Sequence, residues 1–165
     1  MWSIVARRAL VIGAIFLLTS SGFASAAPAG AEVVVARLYK DFGWQAFAIQ
    51  NELFENGVAQ QGKDVLGRYF DPELARLIRD DAACQSKERG ICRLDFDILF
   101  DSQDPVVTDL ELSLLAAGRV QVRFKNPVSG EATTIEYRLA RGRIVDVLYG
   151  PQGARSLKRI LRGTD

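Results

Sequence analysis

The chain has 165 residues, 21 Lys and Arg against 20 Asp and Glu, and no histidine. This balance argues against a strongly basic nucleic-acid binder and an acidic disordered tail. The lack of histidine excludes a histidine-based triad, an HExxH zinc site and a two-histidine iron site, and two cysteines cannot build a four-thiolate zinc site.

The amino terminus carries the clearest functional signal. Arg7 and Arg8 precede an uncharged run from Ala9 to Leu18, and Ala24-Ser25-Ala26 follows as an A-x-A site. Basic end, short apolar core and small residues make the three-part pattern of a secretory signal peptide. The core is shorter than the roughly 20 apolar residues a bilayer span needs. No cysteine follows it, so a lipoprotein attachment site is absent. The expectation is cleavage after Ala26, with an uncleaved membrane anchor as the alternative, and residues 27–165 forming one domain that is periplasmic and has no stable membrane insertion after cleavage.

Val35, Leu38, Phe42, Ala46, Ile49 and Leu53 follow helical spacing, with Gly43 and Gly57 as possible breaks. Asp71-Pro72-Glu73 reads as a helix start. Asp71 can cap, Pro72 suits the first helical position, and Leu74, Leu77 and Ile78 supply a buried face. Cys84 and Cys92 come next, and an oxidising compartment lets them pair. A continuous helix would hold their α-carbons roughly 12 Å apart, too far for a disulfide. Pairing therefore requires the helix to end near Gly90, a plausible cap, and would contribute about 2.5 kcal/mol by chain entropy.

From Asp95 onward the period is read as two. Leu110, Leu112 and Leu114 alternate with polar residues, as do Val120, Val122 and Phe124, and then Ile135, Tyr137 and Leu139. Gly118, Asn126 to Gly130, and Arg141-Gly142 mark turns, and Ile144 to Tyr149 reads as a last strand. Ser156 to Leu161 reads as a terminal helix, basic on its exposed side. Helices followed by a strand meander predict an α+β fold, with helices packed on one face of a curved antiparallel sheet.

Several of these residues carry a resemblance. Tyr39, Phe70-Asp71-Pro72-Glu73-Leu74, Asp95-Phe96-Asp97 with Asp101-Ser102-Gln103-Asp104-Pro105, and Ile144 to Tyr149 followed by Ser156-Leu157 resemble a family of exported bacterial NTF2-like proteins of unknown function. The resemblance covers roughly residues 32 to 162 and implies an NTF2-like cone with an apolar cavity at one end. Here Gly142 stands where that family often has a tryptophan. Such cavities serve as small-molecule sites, as isomerase or dehydratase pockets, or as partner surfaces, and fold alone does not choose among them. The leading reading is an exported noncatalytic binding or accessory module for an unknown small molecule or exported protein. An inhibitor or immunity-type protein masking another exported protein stands as the alternative, and a small enzyme using carboxylate and phenol groups as a third reading.

With a two-residue turn at Arg141-Gly142, Leu139 pairs with Ile144 and Tyr137 with Asp146. Asp146 would then enter the cavity beside Tyr137, with Tyr39 and Trp44 near its mouth. These four are the candidate ligand-binding residues. Asp146 there is either structural, accepting bonds from Tyr137, a helix N-terminus or an arginine, or a polar anchor for a ligand; a one-residue slip would turn it outward. No catalytic residue is assigned and no cofactor is expected. Asp95, Asp97, Asp101 and Asp104 lack the Gly and terminal Glu of an EF-hand, so no metal is expected. Gly150 to Gly153 lacks P-loop spacing and reads as a turn. Arg155, Lys158, Arg159 and Arg162 read as a solvated basic face rather than a lipid-binding one. Many NTF2-like proteins, which the resemblance brings in, dimerise through the outer face of the sheet. In this chain that face alternates acids and bases, from Asp109 and Glu111 to Arg123 and Lys125, and a monomer is expected.

Overall fold

A computed structural model describes residues 30–47, 57–116 and 118–164. The expected signal peptide and the positions of Ile49 and Leu53 lie outside these residues. Helix α1 spans Ala31–Phe42 and buries Val34, Val35, Leu38 and Tyr39, one stripe of the apolar spacing in the sequence. It ends at Gly43, where a 3-10 turn over Gly43–Ala46 takes over. A second 3-10 turn, Val58–Gln60, and the single-turn helix α2, Lys63–Leu66, lead to α3.

Helix α3 covers Pro72–Glu88. As expected, Asp71 caps it by accepting from the Leu74 amide at 2.8 Å, and Leu74, Leu77 and Ile78 are buried. The helix ends near Gly90 and before Cys92, as the pairing requires. Arg89, not Gly90, takes the left-handed conformation at φ 51°, and the Arg89 and Gly90 amides both return to the Gln85 carbonyl. The chain thus reverses within the Cys84–Cys92 loop, and a disulfide joins the two cysteines at a Cα separation of 6.1 Å. Asp81 locks the return by accepting from the Arg93 amide at 2.7 Å and from Gln85 Nε2 at 2.8 Å.

The period-two pattern does not start at Asp95. Residues 95–107 form no strand; the Asp97 amide donates to Ser102 O at 2.8 Å, closing a tight loop whose apolar residues Ile98, Leu99 and Phe100 are all buried. Alternating aspartates and apolar residues here mark a turn driven into the core rather than a strand on its surface. The strands are β1 (Thr108–Ala116), β2 (Arg119–Lys125), β3 (Ala132–Ala140), β4 (Arg143–Tyr149) and β5 (Arg155–Ser156). They pair as an antiparallel sheet in sequence order, so the described fold is α+β with helices first and a meander after. Val120, Val122, Ile135, Tyr137, Ile144 and Val147 face the same core as Val35, Leu38, Leu74 and Ile78. Helix α4, Leu157–Arg162, closes the chain and buries Leu157 and Leu161.

The β3–β4 register corrects one expectation. Ala140 pairs with Arg143 and Leu139 with Ile144, as a two-residue turn requires, but Arg138 then pairs with Asp146 and Tyr137 with Val147. Val145 is an extra residue on β4, a bulge that shifts every later position by one. Asp146 consequently leaves the Tyr137 face, and buried Val147 replaces it.

Candidate functional site

The four candidate ligand residues do not converge. Tyr39 and Tyr137 do meet, across 98 positions of sequence, with their phenol oxygens 2.9 Å apart. Tyr39 donates to the Leu99 carbonyl at 2.5 Å, so its single proton is committed and Tyr137 must donate to Tyr39. Tyr149 donates to the neighbouring Ile98 carbonyl at 3.0 Å. The loop closed by Asp97 and Ser102 is thus pinned from two sides by phenols, and Phe100 packs edge-to-face on Tyr39 at 5.7 Å and on Phe124 at 5.6 Å. The space beside Tyr39 and Tyr137 is filled by this loop.

Burial is the first cause that pushes the Tyr39, Tyr137 and Tyr149 phenols upward, away from ionisation. For Tyr39 the neighbouring Tyr137 adds to the shift. Phenols so shifted and so enclosed hold their protons at neutral pH and offer them only to each other and to main-chain carbonyls.

Asp146 serves the terminal helix. Its carboxylate accepts from Ser156 Oγ at 2.8 Å, from the Lys158 amide at 3.1 Å and from the Val147 amide at 2.9 Å. Ser156 Oγ in turn accepts from the Arg159 amide at 3.2 Å. Serine and aspartate together cap α4, satisfying amides that have no partner within the helix. Trp44 lies on the 3-10 turn after α1 with 60% of its surface exposed, whereas Tyr39 is buried.

The other charged motifs are also absorbed by the fold. Asp97 Oδ1 accepts from the Leu99 amide at 2.7 Å, and Asp101 pairs with Arg155. Among the described residues no three potential metal ligands gather. Arg155 also lies over the Phe96 and Tyr149 rings at 5.5 and 5.6 Å. Lys158 bonds Glu73 at 3.0 Å and Arg162 bonds the same carboxylate, tying α4 to the start of α3. The hydrogen bond from Arg162 first, then that from Lys158, together with their charges, hold the Glu73 carboxyl below its ordinary range. Arg155, Lys158 and Arg162 are therefore committed within the protein.

The accessible concavities lie elsewhere. The larger is a groove of about 740 Å³ over the outer face of the sheet, floored by Gln121, Thr134 and Glu136 and walled by Gly150–Gly153. Arg119 forms a two-pronged bond to Glu136 there, at 3.0 and 2.7 Å, and lowers its carboxyl pKa; Arg138 approaches the same carboxylate at 3.4 Å. A second groove of about 430 Å³ runs beside Val58, Gln85 and Phe96. The strand alternation held the information for the first groove, because its floor is the polar half of that pattern. The wall did not, since it depends on Gly150–Gly153 folding back over Leu148. No family model, no curated protein and no solved structure matches the chain.

Proposed function

We propose that this chain is an exported, noncatalytic binding module that takes a polar small molecule on the outer face of its sheet. The carrying observation is the walled groove of about 740 Å³, whose lining mixes amide, hydroxyl, guanidinium and carboxylate groups. That size suits one metabolite-sized ligand. The mixed lining supplies both donors and acceptors for such a ligand. Export is supported by the Arg7-Arg8 to Ala26 pattern and by the Cys84–Cys92 disulfide, a bond that persists in oxidising compartments. An NTF2-like identity remains part of this reading, carried by the resemblance of the sequence segments. Its apolar cavity would have to lie away from the phenol pair, whose surroundings are packed.

The test is a thermal-shift screen of the purified chain against polar metabolites and against co-exported proteins. Stabilisation by a small molecule, lost when Gln121→Arg fills the groove floor, is the expected result. Stabilisation by an exported protein alone would replace this reading with that of an inhibitor or immunity-type protein.

A further inference from the structure

A separate concavity of about 200 Å³ sits where α1, the Gly67–Tyr69 segment and the β3–β4 turn meet. Four of its lining residues are arginines, Arg37, Arg68, Arg141 and Arg143, drawn from three distant parts of the chain. The segments are held by main-chain bonds. The Ile144 amide donates to Tyr69 O at 2.8 Å, the Asp71 amide to Ile144 O at 2.9 Å, and Arg143 Nε to Gly67 O at 2.9 Å. Tyr69 forms the floor, 2% exposed, and donates its phenol proton to Asp41. Burial and that bond push the phenol up to about 12, while the charges of Arg68 and Arg37 pull it the other way, so both guanidiniums act on the floor of the concavity.

Among the described residues, Arg37, Arg68 and Arg141 have no ion-pair partner. Their situation contrasts with that of Lys158 and Arg162 on α4, which both pair with Glu73. Arg143 is held on the carbonyls of Gly67 and Gly142. Like charges collected on one small concavity repel each other, and Asp41 is the carboxylate joined to its floor. Guanidinium forks suit tetrahedral oxyanions, and a dianion would relieve the repulsion. The volume is too small for a whole metabolite but is sufficient for one such group.

From this geometry we infer that Arg37, Arg68, Arg141 and Arg143 form a seat for a phosphate group. The seat is independent of the groove on the outer sheet face. The phosphate is either free or carried by a lipid headgroup, and the chemistry of recognition is the same.

Isothermal titration of the intact chain with inorganic phosphate at low ionic strength, with co-sedimentation on phosphatidylglycerol against phosphatidylcholine vesicles, tests the inference. Saturable binding to phosphate or to the anionic vesicles is expected, weakened about tenfold or more in Arg68→Gln/Arg141→Gln. The Arg123→Gln variant on β2 should bind as the parent does. Binding to free phosphate identifies a soluble ligand, whereas binding to vesicles alone identifies the headgroup. The arginines are exposed, so the double variant should keep the parent's melting temperature or exceed it at low salt. Binding to neither probe, or binding untouched by Arg68→Gln/Arg141→Gln and by Arg37→Gln, would overturn the seat.

Discussion

Two phenols, Tyr39 and Tyr149, anchor one loop, a third, Tyr137, bonds Tyr39, and their protonation links stability to pH. A buried tyrosine whose pKa is raised in the folded chain keeps its proton after the unfolded chain has lost it, near pH 10. Stability from these groups is therefore complete below about pH 10 and lost as pH rises toward their folded values. Tyr69, pushed to about 12, adds in the same direction. Alkaline titration should show tyrosinate absorbance appearing together with loss of circular dichroism; a phenol that ionises near pH 10 in the intact fold would contradict the buried chain. Asp146 permits a second prediction at this scale. Asp146→Leu removes the acceptor for Ser156 Oγ and the Lys158 amide and should cost about 1–2 kcal/mol in urea unfolding. Asp146→Asn retains one acceptor oxygen and should cost less. Equal and negligible losses in both variants would show that the α4 cap carries no stability.

At the scale of elements, the turns between strands separate backbone conformation from space. Gly118 and Gly130 both adopt positive φ, +75° and +73°. A β-carbon at Gly118 would stand 2.5 Å from the Leu139 carbonyl oxygen, whereas one at Gly130 would meet nothing within 4 Å. Gly130→Ala should therefore cost only the conformational penalty of about 1–2 kcal/mol. Gly118→Ala should cost more, because the β2–β3 pairing must also shift. Thermal unfolding of the two variants compares them directly, and equal losses would show that the strand yields freely. Turn signals of this kind were legible in the sequence. Asn126 does accept from the Val128 and Ser129 amides, and Ala140 does pair with Arg143. The bulge at Val145 was not legible, because an extra residue between two apolar strands leaves no mark in composition. It arises where β4 must satisfy both the turn at Arg141-Gly142 and the pairing of Tyr137 with Val147.

At the scale of the whole molecule, the charges of the outer sheet face bear on assembly. Glu111 stands opposite Arg123 in the register, while Asp109 bonds Lys125 at 3.0 Å and Glu136 holds Arg119 and Arg138. Exposed pairs of this kind contribute below about 1 kcal/mol each and leave a wet surface without an apolar centre. The edge strand β1 is interrupted by irregularities between Thr108 and Glu111 and between Leu114 and Ala116, which disfavour strand addition by a second copy. Light scattering of the purified chain should give a one-subunit mass. A two-subunit mass that reverts on Arg123→Glu would place a dimer on the outer face.

What the sequence determined by itself is whatever depends on neighbours in the chain. The Asp71-Pro72 helix start, the alternation of β2 and β3, the hairpin turns and the closeness of Cys84 and Cys92 all follow from periods and spacings of a few residues. Tertiary structure alone decided which distant groups meet. The Tyr39 and Tyr137 phenols, the loop from Asp97 to Ser102 beneath them, Asp146 at the start of α4 and the four arginines around Tyr69 are each set by packing of separate elements. The physical reason is range. Dihedral preference and apolar period act within a turn or a strand, whereas the partner of a buried polar group is chosen by the path of the whole chain, under the constraint that the group find one.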